Sequence, residues 1–192
     1  MKILELLSFL LKRLLYIPIR ILYNIFGMVF TFIFPFYINQ KGGGTLRNYS
    51  ALQIAQYIVH YATNHGTPVT PLKLQKILYF VWIDFYVRTK QHLFNDDFYA
   101  WQLGPVVPSV YDAFCIYGGM PIYKQYPELN ICSSDLVIID NCLSQYISYS
   151  ARDLVDKTHE PSTAWYHTYN GGRGKRQRIP FEDIIRSDCE VN

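Results

Sequence analysis

Residues 72–114 read LKLQKILYFVWIDFYVRTKQHLFNDDFYAWQLGPVVPSVYDAF, and the punctuation in and around this stretch decides the fold. Thr70-Pro71 just before it is a helix start: threonine caps, and proline takes the first helical position, where its missing N–H costs nothing. A helix then runs from Pro71 to about Lys90. Leu74, Ile77, Leu78, Val81 and Phe85 recur at helical spacing and form its core stripe, with Trp82 and Tyr86 beside it. Asn95-Asp96-Asp97 is a turn. Residues 98–103, FYAWQL, alternate imperfectly and are aromatic enough for a strand, which Gly104-Pro105 ends. Pro108 opens a further helix through Tyr117, and Gly118-Gly119 stops it.

Working outward, Ser50 caps a helix over residues 51–64 with Leu52, Ala55, Ile58, Val59 and Ala62 at helical spacing, and Gly66 suits its end. Residues 120–134 carry two aromatics and two prolines and read as loop. A helix is expected near residues 136–149. Ser150 and Asp153 form a capping-box pattern that starts a short helix to His159. Another short helix covers residues 162–169. Residues 171–177 are a basic loop, residues 178–180 pair as a strand, and residues 181–186 close in a helical turn.

Half of the chain is hydrophobic and 17% is aromatic, and the excess lies at the front. Residues 1–47 hold six cations against Glu5, a net of +5, so residues 48–192 carry −2. That balance gives no global case for nucleic-acid binding. Cys115, Cys132, Cys142 and Cys189 have no CxxC spacing, and the five histidines form no HxxxH pair. Reduced thiols in a cytosolic protein are the preferred reading, and no metal or other cofactor is expected.

Residues 1–40 form an apolar N-terminal segment. Lys2, Glu5, Ser8 and Lys12 leave a face of Leu4, Leu7, Leu11 and Leu15, as on an interfacial helix. Residues 21–38 are 18 mostly apolar positions, near the lower limit for crossing a bilayer. Asn24, Gly27 and Pro35 interrupt them, and basic residues flank both sides, so orientation is barely specified. Two readings stand: a genuine membrane anchor, or an upstream extension with translation starting at Leu46. The second rests on Lys41-Gly42-Gly43, whose codons can spell a bacterial ribosome-binding site. Residues 41–47 are a glycine-rich linker, and residues 48–192 are the folded domain.

Leu74-Gln75-Lys76, Tyr79-Phe80, Ala100-Trp101, Gly104-Pro105-Val106, Val110-Tyr111 and Phe114 occur in an order that resembles the Panacea domain of SocA-type antitoxins and phage-associated proteins. Thr158-His159, followed by Trp165, resembles the C-terminal pattern of that family, with Ser162-Thr163-Ala164 inserted between Pro161 and Trp165. The resemblance spans about residues 48–186. It implies a mainly α fold with a small β-sheet (α+β), preceded here by the apolar N-terminal helix. It also implies a non-enzymatic module that neutralises a cognate toxin by direct binding. A protease enters as a further partner if the module delivers its toxin for degradation. The expected location is cytoplasmic, or membrane-associated if residues 1–40 are genuine. The alternative is a membrane-tethered phage or mobile-element accessory protein.

Several residues carry competing readings. Gly104 and Pro105 are foremost structural, a backbone conformation closed to other residues followed by a strand stop. Functionally they present an edge, with Trp101, Gln102 and Val106 exposed and the strand backbone open to pairing by a partner. Gln75 and Lys76 are either solvated or, for Gln75, bonded to the strand backbone so that helix locks to sheet; the internal role is preferred. His159 could act as a general base, but no nucleophile accompanies it, and capping a helix or packing on Trp165 is preferred. Arg173, Lys175, Arg176 and Arg178 form the one dense basic cluster. They are read as solvated surface and as the second choice for a partner interface.

Overall fold

The computed structural model describes residues 49–126 and 129–190. The anchor, the linker and the proposed start at Leu46 lie outside the described residues. Among the described residues no helix is long and apolar enough to cross a membrane. Arg47–Asn192 forms a compact unit of its own.

Seven α-helices surround a three-stranded antiparallel sheet within the described residues: α1 (Ala51–Asn64), α2 (Pro71–Thr89), β1 (Phe98–Trp101), β2 (Gly104–Val106), α3 (Pro108–Phe114), α4 (Ser133–Tyr146), α5 (Ala151–Thr158), α6 (Ala164–Tyr169), β3 (Arg178–Ile179) and α7 (Phe181–Ile184). A 3-10 turn, Cys115–Tyr117, extends α3, and a π turn, Ile185–Cys189, extends α7. The mainly α fold with a small sheet is as the sequence implied.

The caps stand where the sequence places them, because capping is local chemistry. Ser50 Oγ accepts from the Gln53 N–H, and Thr70 Oγ1 accepts from the Lys73 N–H. Ser150 and Asp153 close both halves of a capping box. Helix α2 runs through the centre and contacts α1, α3, α4, α5, β2 and the C-terminal π turn. Burial on nearly every side explains its weak apolar periodicity. Trp82 donates its indole N–H to the Phe94 carbonyl at 3.1 Å, and Tyr79 meets Phe98 edge-on at 5.0 Å.

Two elements differ from the reading. Gly104-Pro105 does not end the sheet. The chain turns at Gln102-Leu103, and Gly104–Val106 returns as β2, pairing Trp101 with Gly104, Ala100 with Pro105 and Tyr99 with Val106. Proline is admissible because β2 is an edge strand in the order β2-β1-β3. Helix α4 begins at Ser133 and ends at Tyr146, earlier at both ends than residues 136–149. Its polar start is held inside: Asp135 is 1% exposed and accepts from the Tyr49 hydroxyl at 3.0 Å. Its other end is fixed by Lys73, whose Nζ donates to the Ile147 carbonyl at 2.7 Å.

Candidate functional site

The site is built from the seam between α2 and β2. Gln75 Nε2 donates to the Val107 carbonyl at 3.3 Å, and the Val107 N–H donates to Gln75 Oε1 at 3.0 Å. The side-chain amide thus does what the peptide of a neighbouring strand would do, as the preferred reading of Gln75 expected. Lys76 departs from that reading. It is fully buried, and its Nζ donates to the Pro105 carbonyl at 2.7 Å. Burial pushes its ammonium well below the ordinary 10.5.

This arrangement corrects two expectations about the edge. Gly104, Pro105 and Val106 are buried, with Val106 6% exposed, and are not presented to solvent. The edge is also closed to strand addition: Pro105 has no N–H, its carbonyl is taken by Lys76, and both backbone groups of Val107 are taken by Gln75. Gly104 lets α2 approach. Its φ is +107°, and a Cβ there would stand 2.6 Å from Lys76 Nζ and 2.7 Å from Thr158 Oγ1.

Trp101 and Gln102 remain accessible, half-buried and exposed respectively. Trp101 stands at the wall of a groove of about 450 Å³ whose lining includes Leu74, Val106, Val110 and Phe114. Its ring lies 4.8 Å from that of Tyr111, and the Arg176 guanidinium sits over it at 4.9 Å. Lys175 joins the same lining, which contains no carboxylate. The two interface candidates, the Trp101 hairpin and the basic loop, therefore form one surface.

The basic loop is tightly built. Arg176 adopts φ +63°, unusual for a side-chain-bearing residue. Its N–H donates to the Ala100 carbonyl at 2.7 Å. Gly174 leaves no room for a side chain, since a Cβ would fall 1.8 Å from the Thr168 carbonyl oxygen. Arg173, Lys175, Arg176 and Arg178 are exposed, as read, but Arg178 is turned away to Asp97 at 2.7 Å. What the sequence reading missed is the juxtaposition of Trp101 and Arg176. The signal was the pairing of residues 178–180, which needed a partner strand. That partner is β1.

The C-terminal motif supports Trp101 from behind. Trp165 donates its indole N–H to the Trp101 carbonyl at 2.8 Å. His159 follows α5 as its C-cap and stacks on Trp165 at 3.8 Å and 3°. Thr158 is buried and donates to the Val155 carbonyl at 2.8 Å. Burial, with Lys76 nearby, lowers the His159 pKa from its ordinary 6.5. Tyr79 is buried on α2 beside the Asp188 carboxylate, without a hydrogen bond of ordinary geometry between them. Tyr111 is 41% exposed at the groove, while Phe114 is buried beneath it.

A mostly helical module with a three-stranded sheet closed at its β2 edge and a preformed aromatic, basic groove is the class these observations define. The family profile described as Antitoxin SocA-like, Panacea domain matches residues 74–166. Antitoxin SocA of Caulobacter vibrioides (strain NA1000 / CB15N) is 30% identical over 133 residues, covering 63% of this chain and 71% of the relative. The chain belongs to the SocA-like antitoxin family and carries its Panacea domain. No solved structure matches it.

Proposed function

We propose that this protein neutralises a cognate toxin by binding it directly through the groove beside Trp101. The observation that carries this reading is the groove itself, where an aromatic wall and two cations stand over an apolar floor on a braced scaffold. Aromatic and arginine side chains are the usual anchors of protein interfaces. Gln102 lies at its mouth; Gly104, Pro105 and Val106 act from beneath, by fixing the hairpin. The toxin is the sole partner this requires, and hand-over of the bound toxin to a protease is a further step of the same reading. No residue is assigned a catalytic role, and the module works in the cytoplasm on this account.

The test is co-expression with the product of the adjacent gene. The wild-type chain should relieve the growth arrest that product causes. Trp101→Ala, which loses only half-buried ring contacts, should still fold cooperatively with a modestly lowered melting temperature and weaken toxin binding at least tenfold. Harmless deletion of this gene, with no toxic neighbour, would sink the reading. The apolar run at residues 21–38 supports a second one, a membrane-tethered accessory protein. Membrane fractionation of the natively expressed protein separates the two.

A further inference from the structure

We propose that the groove receives a short acidic segment carrying one apolar anchor residue, and that this segment belongs to the toxin; the second clause rests on the antitoxin reading above. The floor and the rim make different demands. Leu74 and Val110 are fully buried at its base, and the apolar surface offered to an occupant comes from Leu72, Leu103 and Tyr111 with the edges of Val106 and Phe114; such a surface can desolvate an apolar side chain but offers it few hydrogen bonds. The rim carries the charge. Lys175 and Arg176 are both exposed, and no carboxylate among the described residues pairs with either. Arg152, Arg178 and Arg186, by contrast, each have an aspartate partner.

Arg176 is placed for recognition. A left-handed backbone at a non-glycine residue costs free energy and persists where the surroundings enforce it. Here the bond from its N–H to the Ala100 carbonyl and the close packing of Gly174 on Thr168 enforce it. A guanidinium lying over an indole keeps its edge N–H donors free to fork onto a carboxylate. An acidic group beside an apolar anchor would thus meet Arg176 and Lys175 while the anchor fills the floor.

Two other occupants fit less well. A strand cannot add at β2, because Gln75 and Lys76 hold its free backbone groups; recognition therefore runs through side chains. A nucleic acid needs a track of cations to follow its backbone. The groove lining has two cations, the floor is largely aliphatic, and residues 48–192 carry a net −2.

The experiment is fluorescence anisotropy on the full chain with labelled ten-residue peptides. One has a central Phe flanked by Asp and Glu, one the same Phe flanked by Lys, and one the acidic frame with Ala for Phe; oligo(dT) is the fourth probe. The acidic Phe peptide should bind at least tenfold more tightly than the other three. Lys175→Glu should weaken it at least tenfold, as should Arg176→Glu; Arg176→Lys, which keeps the charge but loses the fork, should fall between Arg176→Glu and the wild type, whereas the charge-matched control Arg152→Glu should stay within about twofold. Equal or tighter binding of the basic peptide or of oligo(dT) overturns the proposal. So does unchanged binding by a Lys175→Glu protein with an unchanged melting temperature, or no binding of any peptide. The co-expression assay separates the two readings. A wild type that neutralises, with both Glu variants equally active, defeats the groove and leaves the antitoxin reading standing. A wild type that never neutralises defeats the antitoxin reading whatever the peptides do.

Discussion

At Gly104 two independent constraints meet on one atom. Its φ of +107° is open to glycine alone in practice, and the space where a Cβ would stand is taken by Lys76 Nζ and Thr158 Oγ1. Gly104→Val should therefore cost more than about 2 kcal/mol, combining backbone strain with forced displacement of a buried lysine. Urea unfolding measures it, and an unchanged midpoint would mean that the turn is ordinary. The need for glycine was legible in the sequence, but its neighbour was not. A lysine on a helix reads as solvated, and only the tertiary approach of β2 turns Lys76 into a buried donor to the Pro105 carbonyl. His159 was legible for a similar local reason, since it follows a capped helix and precedes a tryptophan within stacking reach.

Among the elements, legibility followed local chemistry. Helices α1 and α2 were read at nearly their true bounds because Ser50, Thr70 and Pro71 signal their own geometry. Helix α4 was misplaced because its start is polar and buried, with Asp135 satisfied by Tyr49, 86 positions away. Strand β2 was missed because proline reads as a stop unless the strand is known to lie at an edge. The C-terminal π turn supplies a test at this scale. Asp188 accepts from the Ala164 N–H at 2.9 Å at the start of α6, and burial pushes its carboxyl from 3.8 up to about 6. A raised folded-state pKa means that the native state holds the proton more tightly than the unfolded chain. The resulting stabilisation is full below pH 3.8 and is lost as pH rises through about 6. Asp188→Asn keeps an acceptor for the cap and removes the charge. It should raise stability at pH 7.5 by up to about 3 kcal/mol and leave it nearly unchanged at pH 3.5. Thermal melts at both pH values check this; equal shifts at the two would show that the carboxylate is not the cause.

For the whole molecule, the compact unit Arg47–Asn192 holds the entire described core, from Ala51 on α1 to Ile184 on α7. A chain beginning at Leu46 should therefore fold with a cooperative transition and bind its partner as the full chain does. Aggregation of that shorter chain would instead give residues 1–45 a structural role. The groove draws on separate stretches of this unit: α2 and α3 supply its floor, β1 its wall, and the loop before β3 its rim. That dispersal is why no contiguous sequence motif announced it.

The closed edge of β2 bears on how such a protein survives while its partner is absent. An open strand is a template on which like chains add strands and grow into aggregates. Gln75 and Lys76 occupy that template from within the same chain, so on the proposed function the free protein can wait for its partner without offering β2 to like chains. Gln75→Ala would release both backbone groups of Val107 in one step. Besides losing about 1–3 kcal/mol from unsatisfied buried groups, it should scatter light on standing at concentrations where the wild type stays clear. Equal clarity of the two solutions would mean that solubility comes from another surface.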